Sequence, residues 1–252
     1  MSTPSLGLQL YSVRAVDLDI EVLLEQVAEA GYHGVETVGT QGVEPARLRA
    51  ALDHAGLALA SAHVPLTDLR THLKTLSTTH RSLGTPLLVM PWLSPEDRPR
   101  ELAGWTDLGR ELGAYGRALA EEGLGLAYHH HDFELERYAG SDGLTALLEA
   151  APAEHLTLEL DTGWLMAVGE DPLATLSRWG QRTTRLHLKD LVRGHEPPWV
   201  DVGDGELDLD GVLAAARDVG VPWLVVEHDS PSDPLATMRR SAAATLEALG
   251  HL

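Results

Sequence analysis

Three groups of residues stand out for the chemistry that their types could do. Glu159 and Asp161 alternate with leucines in Leu156–Asp161, His187 and Lys189 alternate with leucines in Leu186–Lys189, and Glu227 closes the apolar run Pro222–Glu227. A fourth segment, Tyr128-His129-His130-His131-Asp132-Phe133-Glu134, packs histidines and carboxylates together. The chain has no cysteine, so a metal here must be held by imidazole nitrogen and carboxylate oxygen. A carboxylate, an imidazole and a second carboxylate suit Mn²⁺, Zn²⁺, Co²⁺ or Mg²⁺. Taken singly, each has a plainer explanation. A lone aspartate at a strand end is most often a helix cap or ion-pair partner, and a lone histidine is most often solvated or hydrogen-bonded.

What turns separate residues into a set is the order of elements that carry them. Strands are expected at Leu6–Val13, Gly34–Val38, Leu57–Ala62, Pro86–Met90, Gly123–His129, Leu156–Leu160, Thr184–Leu188 and Pro222–Glu227. Helices are expected between and after them, at Leu18–Ala30, Glu44–His54, Leu66–Leu83, Arg98–Glu122, Gly143–Ala150, Asp171–Trp179, Asp208–Val219 and Pro234–Leu249. Gly31, Gly56 and Gly220 supply stops, and Asp171-Pro172 a start. Eight strand–helix units with a period of roughly thirty residues predict parallel strands closed into an α/β (β/α)₈ TIM barrel, one domain over residues 1–252. The first strand leads into Tyr11-Ser12-Val13-Arg14 rather than a glycine-rich turn, which excludes a dinucleotide fold of the Rossmann kind.

In such a barrel, side chains alternate between helices and axis, and function gathers at the carboxyl ends of the strands. Leu156, Leu158 and Leu160 facing the helices place Glu159 and Asp161 on the axis; Leu186 and Leu188 do the same for Arg185, His187 and Lys189, and Leu224 and Val226 for Glu227. The parity of Leu124, Leu126 and Tyr128 turns His129 inward, and His131 too if the strand runs that far. Asp161, His187, Glu227, His129 and His131 are therefore the candidate metal ligands.

Composition narrows the partner. The chain has 252 residues, 19 basic against 38 acidic, a formal net charge of −19, 44% apolar and 5% aromatic residues. That is the make-up of a folded soluble protein rather than a disordered polyanion. The acid surplus argues against nucleic acid, whose phosphates need lysine and arginine. Only Lys74 and Lys189 are lysines, and the longest wholly apolar run, Leu87–Leu93, is far too short to span a bilayer. No basic segment followed by an apolar core appears in Met1–Gly7, so a cytoplasmic location is expected.

The segments Leu158–Trp164, His187–Asp190, Val202–Asp208 and Val226–Asp229, with the Tyr-His-x-His-Asp-Phe-Glu run at Tyr128–Glu134, resemble the xylose-isomerase-like barrels, sugar phosphate isomerases/epimerases with an inosose-dehydratase-like branch. The likeness runs along most of the chain and is densest from Tyr128 to Asp229. In the ketose 3-epimerases of this superfamily the ligands are glutamate, aspartate, histidine and glutamate. The resemblance puts the last three on Asp161, His187 and Glu227, whereas ungapped spacing puts Tyr128, and strand parity His129, where the first glutamate belongs. Histidine coordination or a missing ligand follows. The substrate-binding positions of the epimerases fall on Glu134, Trp164 and Arg193, with Trp164 replacing a histidine.

The resemblance implies a divalent-metal-dependent isomerase or epimerase that works through an enediolate on a small sugar or polyol ketone. Candidate acid/base groups are Glu227, Lys189 and Glu134, with Glu159 and a fifth-strand histidine as further options for the base. Candidate substrate contacts are Glu36, His63, Trp92, Trp164, Arg193 and Glu206, the tryptophans offering flat faces to a sugar ring. Lys189 has a plainer role as the partner of Asp190 or Glu159, and Glu206 as the cap of the helix after Asp208. Two alternatives accompany this reading: a metal-dependent dehydratase on a keto-inositol or keto-sugar, which needs only one base, and a non-catalytic sugar-binding barrel. Abasic-site endonucleases share the barrel, but the charge speaks against them. Oligomeric state, homo-oligomer included, is not encoded in any of these features.

Overall fold

The computed structural model describes residues 3–138 and 140–251. Eight parallel strands close into a barrel: β1 (Ser5–Gln9), β2 (Gly34–Val38), β3 (Ala58–His63), β4 (Leu87–Met90), β5 (Gly125–His129), β6 (Thr157–Asp161), β7 (Thr183–Leu188) and β8 (Trp223–Val226). Neighbours in sequence pair in space, and β8 returns to β1 through Ser5–Trp223 to Leu8–Val226. The helices are α1 (Ile20–Glu29), α2 (Pro45–Ala55), α3 (Leu66–Leu83), α4 (Leu102–Glu121), α5 (Gly143–Ala150), α6 (Thr162–Ala167), α7 (Pro172–Trp179), α8 (Leu209–Val219) and α9 (Pro234–Gly250). Among the described residues no helix is long and apolar enough to cross a membrane.

Alternation decides the layers. Leu158, Leu160, Leu186, Leu188 and Leu224 are fully buried in the main apolar core. Each such leucine contributes roughly 2 kcal/mol of apolar transfer. The opposite parity of the same strands carries Glu159, Asp161, Arg185 and His187, also buried. On β4 and β5, Leu87, Val89 and Ala127 form a small apolar cluster apart from the main core. The barrel interior is thus part hydrocarbon and part charge, and the charge needs internal partners because water is excluded.

Local signals set the ends. Pro45 opens α2, and Asp142, Asp208 and Asp233 cap α5, α8 and α9 by accepting from Thr145, Gly211 and Ala236 backbone N–H groups. Gly220 ends α8 at φ 81°, a left-handed conformation that a side chain would disfavour.

Four departures from the sequence expectation shape the site. The first strand stops at Gln9 instead of Val13, and Leu10–Val13 turns as a 3₁₀ helix. The Gln9 carboxamide accepts from the Tyr11 N–H at 2.9 Å while donating to Glu36, so a side chain replaces the strand ladder. Helix α6 was not expected; it starts because Asp161, at the end of β6, accepts the Trp164 N–H at 2.8 Å. The fourth helix begins at Leu102 rather than Arg98, with Arg98 in the loop that precedes it. An antiparallel ribbon of Asp190–Leu191 with Trp199–Val200 was also unforeseen, and it brings Trp199 against Trp164.

Candidate active site

The pairing register aligns Asp161 with His187 and His187 with Val225, two residues before Glu227. His129 ends β5, Asp161 ends β6, His187 lies one residue short of the end of β7, and Glu227 follows β8 directly. All four are buried, and one ligand atom from each lies within 4.8 Å of the others. His187 joins this group to a second one beneath it. Its Nε2 lies 2.8 Å from Glu36 Oε1 and 3.2 Å from Glu159 Oε2, while Nδ1 lies 3.2 Å from Glu227 Oε2 and 3.7 Å from Asp161 Oδ2.

The second group is a hydrogen-bonded charge network. His63 Nε2 sits 2.8 Å from Glu36 Oε1 and 2.9 Å from Glu159 Oε2, and Glu36 also accepts from Gln9 at 2.6 Å and Ser61 at 2.5 Å. Arg185 reaches Ser61 and the Ala60 carbonyl from the same side. Burial opposes charge on His63, yet Glu36 and Glu159 outweigh it and raise its pKa to about 10. His187 is held well above the ordinary histidine range in the same contest, by Glu159, Glu227 and Glu36. His129 goes the other way: burial and the neighbouring His187 and His131 keep it neutral.

The residues fit a divalent ion in the first group. His129 Nδ1 and Asp161 Oδ2 are buried with no hydrogen-bond partner, as expected of atoms kept for a ligand rather than for each other. Two imidazoles and two carboxylates are a sound donor set for a first-row divalent ion, and a neutral His129 can donate its lone pair. Asp161 is both the cap of α6 and a member of the group, with one oxygen for each task.

Above the cluster opens a cavity of about 780 Å³, lined among others by Tyr11, His63, Trp92, Arg98, His129, His131, Phe133, Trp164, Glu227 and Asp229. That volume suits a small-molecule ligand. Trp92 is half exposed on its wall, and Trp164 packs edge-on to Trp199.

Other candidates from the sequence are placed differently. His131 is outside both groups because β5 ends at His129; its backbone N–H donates to Glu134 and its ring stacks on Phe133 at 5.6 Å, near the cavity. Glu134 does not line the cavity. It is fully buried, accepts from the Tyr128 hydroxyl at 2.6 Å and the His131 N–H at 2.8 Å, and burial raises its pKa to about 7. Glu36 lies in the middle of β2, below the cavity. Lys189 pairs with neither Asp190 nor Glu159: its Nζ is 2.7 Å from Asp229 and 3.0 Å from Glu227, under the faces of Trp164 and Trp199. Asp190 instead gathers the backbone N–H groups of Leu191, Gly203, Gly205 and Leu207, pinning the glycine-rich loop. Arg193 and Glu206 pair with each other and line a smaller pocket with Pro172 and Asp208.

Sequence reasoning missed Asp229, Arg98 and His130 as residues around the site. Asp229 was findable, since it shares the parity of Glu227. His130 Nδ1 lies 3.0 Å from the His131 carbonyl and its Nε2 accepts the Asp161 N–H at 3.1 Å, which makes it a neutral strut behind the ligand set.

Residues 24–249 match the family described as xylose isomerase-like TIM barrel. The chain belongs to that family. Among curated relatives of this xylose isomerase-like barrel are the rhizopine catabolism protein MocC of Rhizobium meliloti, 27% identical over 93% of this chain and 80% of that one, and the inosose dehydratase of Lacticaseibacillus casei, 24% identical over 84% and 83%. A sugar phosphate isomerase/epimerase from Parabacteroides distasonis shares the fold at a TM-score of 0.85 and 20% identity, covering 99% of this chain and 96% of the other.

Proposed function

We propose that this xylose isomerase-like barrel is a divalent-metal-dependent enzyme that removes a proton beside the carbonyl of a sugar or polyol ketone and then expels water, a dehydratase. The observation that carries the metal reading is the convergence of His129, Asp161, His187 and Glu227 from four neighbouring strand ends, with the buried His129 Nδ1 and Asp161 Oδ2 making no hydrogen bond. Those four residues would hold the ion. When bound, its chemistry is to offset the negative charge that develops on the ketone oxygen as the adjacent carbon loses its proton.

The chain's own groups divide the proton work. Glu227 lines the cavity and is the carboxylate placed to take the carbon-bound proton. Lys189, 3.0 Å away, orients that carboxylate and keeps it charged; it acts through Glu227 and is itself sealed under the tryptophans. His63 also lines the cavity and, held protonated by Glu36 and Glu159, is the donor for a departing hydroxyl. Trp92 and Trp164 flank the space for the ring.

Elimination is favoured over two-base epimerisation by the replacement at the first ligand. Where an epimerase has a second glutamate, this chain has a neutral histidine, so a single glutamate faces the cavity. The inosose dehydratase relative agrees with that reading. Sugar isomerisation, which also needs one base, is the second reading, supported by the Parabacteroides fold relative. The test is incubation of Mn²⁺- or Co²⁺-loaded protein with an inosose and with ketoses in heavy water, followed by mass spectrometry and NMR. Loss of water from the inosose is the expected result. Deuterium entry into a ketose without loss of water would replace the dehydratase by an isomerase, and no turnover or exchange with any substrate would remove both.

A further inference from the structure

The loop between β4 and α4 places on the cavity wall an arginine whose terminal nitrogens are in no ion pair among the described residues. Arg98 Nε donates to the Leu93 carbonyl at 3.1 Å, and its guanidinium carbon lies 3.8 Å from the centre of the Phe133 ring and 5.5 Å from that of Trp92. Among the described residues no hydrogen bond or ion pair engages its two Nη groups. The other arginines near the mouth are committed elsewhere: Arg14 to the carbonyls of Tyr11 and Asp229, Arg193 to Glu206. Among the described residues, Arg98 is the only arginine or lysine in the cavity lining, whose other ionisable members are His63, His129, His131, Asp132, Glu227, Asp229 and Tyr11.

A guanidinium held over an aromatic ring, with its Nη donors uncommitted, matches the planar oxygens of a carboxylate or the face of a phosphate. The Asp132, Glu227 and Asp229 carboxylates of the same lining repel an anion, so the attraction is confined to the guanidinium itself. We infer that Arg98 anchors an anionic substituent, carboxylate or phosphate, carried by the substrate away from its carbonyl. This rests on the reading that the cavity receives a ketone. It narrows the sugar or polyol ketone of that reading to one that also carries a carboxylate or phosphate, so that the inosose of the activity test serves as an uncharged surrogate.

The test is isothermal titration of metal-loaded wild type, Arg98→Gln and Arg98→Lys with D-fructose, D-fructose 6-phosphate and D-fructuronate, at two salt concentrations, with elemental analysis and thermal melting of the same samples. Expected is about tenfold or greater preference for a charged probe over D-fructose in wild type, weakened by salt, lost in Arg98→Gln and partly kept in Arg98→Lys. Whichever charged probe binds more tightly identifies the substituent. Equal affinity for charged and neutral probes, no binding of any probe, a preference that survives in Arg98→Gln, or equal weakening of all three probes there would overturn the anchor. A wild type that holds no metal yet keeps the charge preference would sink the proposed metalloenzyme and leave Arg98 in place.

Discussion

His187 Nε2 lies 2.8 Å from Glu36 Oε1, and this contact selects which ring nitrogen faces the candidate metal group. With the Nε2 proton donated to Glu36, Nδ1 is the nitrogen that faces Asp161 and Glu227, and a bound ion would take the place of its proton. Glu36 is in turn held by Gln9 and Ser61, so the tautomer of a β7 histidine is set from β1, β2 and β3.

Glu36→Gln should therefore lower divalent-metal affinity by about 10- to 100-fold while leaving the proposed ligands intact. Competition titration of Zn²⁺ or Co²⁺ against a chelator measures this. An unchanged affinity would mean that the contact does not orient His187.

Asp161 divides its two oxygens between the α6 cap and the candidate ion. Asp161→Asn keeps a cap acceptor, so its stability should stay within about 1 kcal/mol of wild type while bound metal falls sharply. Asp161→Ala loses both, adding a destabilisation of about 1 kcal/mol. Elemental analysis beside urea denaturation separates the two tasks. The Asp161→Ala, His187→Ala double variant should hold no ion where wild type holds about one per chain, the single occupancy that one four-ligand site implies.

Far from the site, His80 of α3 is buried with Thr85 as its hydrogen-bond partner at 3.2 Å, and burial lowers its pKa from 6.5 to about 4. The unfolded chain takes up a proton at this residue near pH 6.5, whereas the folded chain resists until about pH 4. Its contribution to stability is complete above pH 6.5 and is lost progressively as the pH falls from there toward 4. His80→Asn should flatten the fall in urea midpoint between pH 7 and pH 4.5; an identical slope in both proteins would refute the assignment.

Gly109, Gly113 and Gly116 line the buried face of α4 where α5 and the following loop press on it. A Cβ at Gly109 would collide with the Leu147 carbonyl, and one at Gly116 with that of His155. Helix propensity alone favours alanine over glycine by about 1 kcal/mol. Packing reverses the sign, and Gly116→Ala should destabilise by about 1–3 kcal/mol or more in urea denaturation.

The barrel could be read from residue order because its information is local: leucines at period two, helical stripes between them, and glycine or proline at the joints. The same period turned Asp161, His187 and Glu227 inward. Parity placed His129 there as well, but could not say where β5 ends, and that end is what removes His131 from the cluster. Side-chain partners were not legible for the same reason. Lys189 meets Glu227 and Asp229 from the end of the neighbouring strand β8 rather than its sequence neighbours, Arg193 is turned away by Glu206, and Arg98 reaches the cavity only because its loop lies against Phe133. By itself, then, the sequence determined the fold and the strand ends at which chemistry gathers, since those follow from repeating short-range patterns. Which atoms meet was decided only by the tertiary structure, because buried charges choose partners by distance across the closed barrel, where dozens of residues of chain separate groups that lie within a hydrogen bond of each other.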